Sequence, residues 1–93
     1  MNITGHTVEK VEDTTGIIIG DRYEFFLNVE VEEDDELYSE NGLYIKVILA
    51  VDQNETRVVQ YQIHEKETEK YIDLALEDDE EQLLHDYCKQ HIE

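Results

Sequence analysis

The sequence predicts an α+β domain in which a mainly antiparallel sheet of five or six strands carries one C-terminal helix packed on a face. Residues 22–32 and 43–51 alternate their side chains with the period of two that is typical of strands. Residues 78–91 change to the period of a helix. Because the chain has 93 residues, we expect residues 1–93 to form one small acidic domain with a modest core.

The N-terminal part of the chain predicts three strands of unequal strength. Val8 and Val11 belong to a weak pattern that indicates a marginal first strand. Residues 17–19 are three isoleucines between glycine-containing turns, which favours a short apolar strand. Residues 22–32 then form a half-buried strand with one wet face. Phe26 lies among the polar residues of that strand, so we expect its outer face to be partly covered or to contact something.

The middle of the chain predicts the central part of the sheet. Asn41-Gly42 is a strong turn signal, because both residues tolerate positive φ. The strand that follows, residues 43–51, is largely apolar on both faces and is therefore predicted to be central. Residues 56–65 are predicted to return beside it, and residues 70–76 to form a last strand. One side of the return strand is expected to carry Arg57, Val59, Tyr61 and Ile63.

A C-terminal helix is predicted over residues 78–91. Its apolar face is expected to contain Leu84, Tyr87, Cys88 and His91, with Leu83 beside them. Asp78 is predicted as the N-cap and Glu81 as its capping-box partner. The acidic block at residues 77–81 is explained locally by this capping chemistry and by the positive end of the helix dipole.

The charge of the chain restricts its partners. There are 25 Asp or Glu residues and 7 Lys or Arg residues, which gives a net charge of −18. Nucleic acids and anionic membranes are therefore expected to be repelled, and a basic protein or a cation is the natural partner. Because the sequence lacks a signal-peptide pattern and a long apolar stretch, we expect a cytoplasmic protein. Cys88 is the single cysteine and has no intramolecular disulfide partner, which agrees with a reducing compartment.

The acidic residues concentrate in one stretch that also contains candidate aromatic anchors. Residues 23–45 contain no Lys or Arg. Tyrosine combines apolar area with a polar tip, so the two tyrosines flanking the Asn41-Gly42 turn are suited to an interface. Tyr23, Tyr61 and Tyr87 are instead in phase with core positions. The candidate protein-binding surface consists of Glu33, Asp34, Asp35, Glu36, Tyr38 and Tyr44.

The sequence does not favour metal binding or catalysis. The acidic residues 32–36 lack the alternate spacing and central glycine of an EF-hand loop, so a solvated charge run is the better interpretation. A site containing His85, Cys88 and His91 would spread its ligands around the helix. His6 and His64 occur without a catalytic sequence motif. We therefore expect no enzyme activity, no cofactor and no metal site.

Three strings resemble those of a known family. They are GDRYEFFL at residues 20–27, DELYSENGLYIKV at residues 35–47, and the acidic helix start LALEDDEEQLL. They are similar to a family of short acidic proteins of Bacillus-type bacteria whose function is not established. The resemblance implies a bacterial cytoplasmic protein and supplies no catalytic residue.

The function that the sequence favours is a non-enzymatic interaction protein that presents an acidic, tyrosine-edged surface to a basic protein partner. A DNA mimic that inhibits a nucleic-acid-binding protein is one alternative, because carboxylates can imitate phosphate charge. A module that binds a small ligand or a divalent cation is another. The sequence leaves the oligomeric state open.

Overall fold

The computed structural model describes residues 2–11, 20–34, 38, 40, 42–52, 55–73 and 75–92. The elements are the strands β1 (Asn2–Val11), β2 (Asp21–Glu30), β3 (Leu43–Val51), β4 (Thr56–Glu65) and β5 (Tyr71–Ile72), followed by the helix α1 (Asp78–His91). The strands form one sheet in the order β1-β2-β3-β4-β5, and every neighbouring pair is antiparallel. The predicted α+β fold is therefore confirmed, with five strands among the described residues.

The core lies on the single face of the sheet that α1 covers. The central strands β2 and β3 pair Phe25 with Val47 and Leu27 with Ile45. Antiparallel partners point to the same side of a sheet, so these four residues form the middle of one apolar layer. The helix packs against β3 and β4. Its contribution to the core is Leu84 and Cys88, both fully buried, as the helical period predicted.

The marginal first strand that the sequence predicted is a ten-residue, mostly exposed strand. β1 pairs with β2 along its length, from Asn2 opposite Glu30 to Val11 opposite Arg22. The pairing shifts between Ile3 and Gly5, a β-bulge that breaks the alternation of side chains, which explains why the sequence signal is weak. The strand predicted for residues 17–19 lies outside the described residues.

A second bulge overturns the predicted face of β4. Ile48 lies opposite Gln60, but Leu49 lies opposite Val58, which leaves Val59 as the extra residue. An extra residue shifts the alternation by one, so the residues that precede it in β4 point to the opposite faces from those predicted. Val58 therefore packs against the core, and Val59 is 50% exposed. The expectation that Arg57 and Val59 share one side with Tyr61 and Ile63 is therefore wrong.

The last strand is shorter than predicted and the helix begins as predicted. β5 contains two residues, since the chain then leaves the sheet and the Leu76 N–H donates to the Tyr61 hydroxyl at 2.9 Å. The helix spans the predicted residues 78–91, but its N-cap is Glu77. The Glu80 carboxylate accepts a hydrogen bond from the Glu77 N–H at 3.1 Å. The predicted cap at Asp78 with Glu81 is thus displaced by one residue.

The helix face also differs from the prediction at two positions, Leu83 and His91, which are both exposed. Leu83 was expected to lie beside the buried stripe, but it is 39% exposed. Tyr87 packs against the core from the same stripe as Leu84 and Cys88. The predicted packing of Tyr23 and Tyr61 is confirmed as well, because both are half-buried against the core.

Candidate functional site

The sheet face opposite α1 is the candidate site, because no described element covers it. Residues on this face are out of phase with the core, and they lie in register across the strands. Tyr44 of β3 lies opposite Asn28 of β2 on one side and His64 of β4 on the other. His64 in turn lies opposite Tyr71 of β5. The pairing therefore brings side chains from four strands into one line across the sheet.

Four ring side chains form an aromatic row on this open face. The row consists of Phe26, Tyr44, His64 and Tyr71. The ring centroids of Phe26 and Tyr44 are 6.1 Å apart, and those of His64 and Tyr71 are 5.6 Å apart. Between them, Tyr44 and His64 stack at 5.1 Å with their planes only 14° from parallel. These distances are those of favourable aromatic pairs, so the rings support one another.

The aromatic row is partly shielded and partly open. Phe26, Tyr44 and His64 are half-buried, whereas Tyr71 at the end of the row is 52% exposed. The His64 ring is also held by its Nδ1, which lies 3.4 Å from the Glu69 carbonyl oxygen. Beside the row, the Lys46 ammonium lies 3.6 Å from the Glu24 carboxylate. The arrangement is an apolar ridge with polar tips, which is suited to binding.

The residues of the predicted protein-binding surface do not all lie together in the structure. Glu33 and Asp34 lie in an exposed turn after β2, at the end of the sheet that contains Tyr44. Asp35 and Glu36 lie outside the described residues. Tyr44 belongs to the aromatic row.

Tyr38 has different neighbours from Tyr44. It is 40% exposed and lines a cavity of about 240 Å³ together with Val29, Val31 and Leu43, whose side chains pack in the core. The two tyrosines that the sequence singled out as anchors of one surface therefore lie against different parts of the sheet.

Sequence reasoning missed His64 and Tyr71 as partners of Tyr44. The missing information is the register, which sets which residues of separate strands become neighbours. Phe26 gave a sequence signal for this face, because it is an apolar residue among the outward-facing polar residues of its strand. Extending that test to every strand would have selected Tyr44 and His64, because both lie in the phase opposite the core.

A second cluster of rings lies on the helix-covered side, between β1 and the end of α1. The His6 Nδ1 and the Tyr87 hydroxyl share a hydrogen bond of 2.8 Å. The His91 Nδ1–H donates to the Tyr87 carbonyl at 2.7 Å, and the His91 ring lies 4.5 Å from the His6 ring. Burial lowers the pKa of His6, and the nearby charge of His91 lowers it further. The cluster fastens the helix end to β1.

Three helix residues of metal-ligand type, His85, Cys88 and His91, make structural contacts. The His85 Nε2–H donates to the Thr56 carbonyl at 2.6 Å, which ties the helix to β4. The hydrogen bond from His85, with a second from Gln82, lowers the pKa of Asp86. Burial raises the pKa of the Cys88 thiol to about 12. Within the described ranges no group of three or more His, Cys, Asp or Glu residues is placed to hold a metal ion.

Comparisons with known proteins place the chain in a family without assigning it an activity. A search of curated proteins and a search of solved structures each find no match. Within the described part of the chain, no helix has the length and apolar character needed to cross a bilayer. A family model matches residues 1–93, the whole of the sequence given. The chain therefore belongs to the Family of unknown function (DUF6509).

Proposed function

We propose that this protein is a non-enzymatic interaction protein that binds a basic segment of a protein partner across its open sheet face. The observation that carries the proposal is the aromatic row, whose rings contact one another across adjacent strands on a face that no described element covers. Rows of aromatic rings supply large contact area at a low cost in conformational entropy, so they serve as anchors in interfaces.

The charge of the chain supports a basic partner over an acidic one. The net charge is −18, and the sheet end beside Tyr44 continues into the exposed acids Glu30, Glu32, Glu33 and Asp34. Arginine and lysine side chains gain about 0.5–1 kcal/mol from an exposed aromatic ring by the cation–π interaction. A segment that alternates basic and apolar side chains would satisfy both the rings and the acids.

The two groups of residues would contribute differently to binding. Exposed carboxylates act over roughly 8 Å at physiological salt, so the acids after β2 would mainly raise the association rate. The rings act only on contact and would mainly lower the dissociation rate. In this scheme Glu33 and Asp34, with the neighbouring Asp35 and Glu36, steer the partner, while Tyr44 anchors it. Tyr38 would act as a separate, peripheral contact.

The finer parts of the assignment belong to the same proposal. A cytoplasmic protein of bacterial origin is what the sequence favours. The free thiol of Cys88 supports a reducing compartment, because it is buried in the core without a disulfide partner. Direct binding to nucleic acid or to membranes stays an unfavourable expectation, given the net charge.

The proposal is tested by titrating ¹⁵N-labelled protein with a 12-residue peptide of alternating Arg and Leu. Two further peptides carry citrulline or Glu in place of Arg. We expect saturable amide shifts around the aromatic row with the Arg peptide, weaker ones with citrulline and none with Glu. Tyr71→Ala should weaken binding about two- to fivefold, because an exposed cation–π contact is lost. Tyr71 is exposed, so this variant should stay folded.

Matched variants separate the rings from the general acidity. Gln90→Ala, on the exposed side of α1, should bind as the wild type does. Glu33→Ser with Asp34→Ser should lower the association rate and its salt dependence while the dissociation rate is kept. Shifts distributed over all acidic surfaces, with no effect of Tyr44→Ala or Tyr71→Ala, would refute the open face as the binding surface.

A further inference from the structure

A cavity of about 400 Å³ lies between β4 and the first turns of α1, away from the open face. It is lined by Val58, Val59, Gln60, Tyr61, Glu81 and Leu84. Its size is at the lower end of small-ligand cavities, which are about 300–1,000 Å³. The site is therefore large enough for a short aliphatic molecule or a long side chain.

Two irregularities of the fold leave this space. The bulge makes Val59 the extra residue of β4, and Val59 is 50% exposed where it lines the cavity. β5 pairs only with Ile63 and His64 within the described residues, so it does not extend along β4 to cover the cavity. Bulges that redirect a side chain are frequent beside binding sites.

The lining combines apolar walls with one carboxylate. Val58, Tyr61 and the fully buried Leu84 supply apolar surface. Its polar groups are the Gln60 amide, the Tyr61 hydroxyl and the Glu81 carboxylate, and among the described lining residues there is no lysine or arginine. An apolar cavity with a few placed polar groups selects its ligand by the chemistry of those groups. Among the described lining residues that chemistry is one negative charge beside apolar side chains.

The surroundings of Glu81 strengthen the preference for a cation. Glu81 shares the first turn of α1 with Asp78, Asp79 and Glu80. The helix dipole places only about half a positive charge at this end, so four carboxylates outweigh it. The local potential is therefore negative, and an anionic ligand would be repelled.

We propose that this cavity binds an aliphatic chain that ends in an ammonium group. The chain would lie against Val58, Tyr61 and Leu84, and the ammonium would meet the Glu81 carboxylate. Both a free alkylamine and a lysine side chain of a partner present this chemistry. The proposal is independent of the open face, because it uses none of the residues of the aromatic row.

The test is an amide-shift titration of ¹⁵N-labelled protein with n-hexylammonium, n-hexanol and hexanoate at matched ionic strength. We expect shifts at Val58, Gln60, Glu81 and their neighbours, with affinity in the order ammonium, alcohol, carboxylate. Glu81→Gln should weaken hexylammonium binding about two- to fivefold, as for an exposed ion pair, and leave hexanol binding unchanged. Asp79→Asn, an acid of the same turn outside the lining, should have the smaller effect.

A parallel titration with Nα-acetyl-lysine amide distinguishes the two sources of the ammonium group. Tighter binding of the lysine derivative assigns the cavity to a partner side chain, and tighter binding of hexylammonium assigns it to a free amine. Either result supports the site. No saturable shift at the lining residues, equal affinity for hexanol and hexylammonium, or equal effects of Glu81→Gln and Asp79→Asn would overturn it. Because the aromatic row is untouched by both variants, this failure is separable from failure of the proposed function.

Discussion

The two faces of the sheet use the same strands for different purposes. On the covered face, Phe25, Leu27 and Ile45 are fully buried in the core. On the open face, their sequence neighbours Phe26, Tyr44 and Lys46 are only half-buried, and they shield one another. The covered face is held together by exclusion of water, whereas the open face is held by contacts among side chains that still reach solvent.

The difference shows where this chain has freedom to carry a function. Substitutions in the close-packed core are costly, because removing even one methylene group leaves a cavity. Within the described part of the chain no second layer packs on the open face, so aromatic rings, a Lys46–Glu24 ion pair and a histidine can lie side by side there. A binding surface on this face can therefore change without unfolding the domain.

The largest expected effect compares two isoleucines of β3 on opposite faces. Ile45 is fully buried on the covered face, and Ile48 is half-buried on the open face. Ile45→Ala should lower the free energy of unfolding by about 2–5 kcal/mol, through lost burial and the remaining cavity. Ile48→Ala removes the same atoms and should cost about 1 kcal/mol, because part of its surface is already in water.

Urea unfolding followed by far-ultraviolet circular dichroism measures both changes. The ratio between the two losses is the informative quantity, since the strand and the substitution are the same. Similar losses for Ile45→Ala and Ile48→Ala would mean that the open face is covered as fully as the other, and the contrast between the faces would be lost.

Much of the fold could be predicted because the core strands and the helix follow simple periods. Residues 22–32 alternate, residues 43–51 are apolar on both faces, and residues 78–91 repeat every three to four positions. These patterns are set by burial and are therefore visible in one sequence. The bulges at Thr4 and Val59 have no such signal, because each depends on how one strand meets its neighbour.

The candidate site was harder to predict for the same reason. Tyr44 was singled out from its place beside a turn, but its neighbours in the row are Phe26 of β2 and His64 of β4, which are distant from it in sequence. Individual residue types are visible in a sequence, whereas their juxtaposition requires the strand order and register. The net negative charge can be counted in the sequence, whereas the aromatic row is visible only in the structure.

A smaller stability difference tests the β4 bulge, which decides which residues of that strand face the core. Val58 packs against the core and Val59 is half exposed, although the uncorrected alternation predicts the reverse. Val58→Ala should cost about 1 kcal/mol, as expected when roughly one methylene equivalent of burial is lost. Val59→Ala should change stability by less than about 0.5 kcal/mol. Thermal or urea melts in which Val59→Ala is the more damaging variant would contradict the register shift.

The smallest expected effect concerns the margin of the covered face, where a histidine is packed beneath the end of the helix. Burial and the charge of His91 lower the pKa of His6 in the folded state, while the unfolded chain keeps a value near 6.5. The unfolded state therefore binds this proton first as the pH falls. The contribution of neutral His6 to stability is complete above pH 6.5 and is lost as the pH falls through 6.5 toward the folded value.

The groups that face His6 are Tyr87 and His91 of α1 and the Phe25 ring of β2. Two measurements test the linkage between the pKa of His6 and stability. The melting temperature of the wild type should decrease between pH 7.5 and pH 5.5 by more than that of His6→Gln. Carboxylates elsewhere titrate at lower pH and are common to both proteins, so the difference isolates His6. In His91→Gln, the pKa of His6 measured from its imidazole proton should rise, because one cause of its depression is removed. Two results together would contradict this prediction: an unchanged His6 pKa in His91→Gln, and the same pH dependence of the melting temperature in His6→Gln and the wild type. His6 would then lie in water, and the covered face would end before β1.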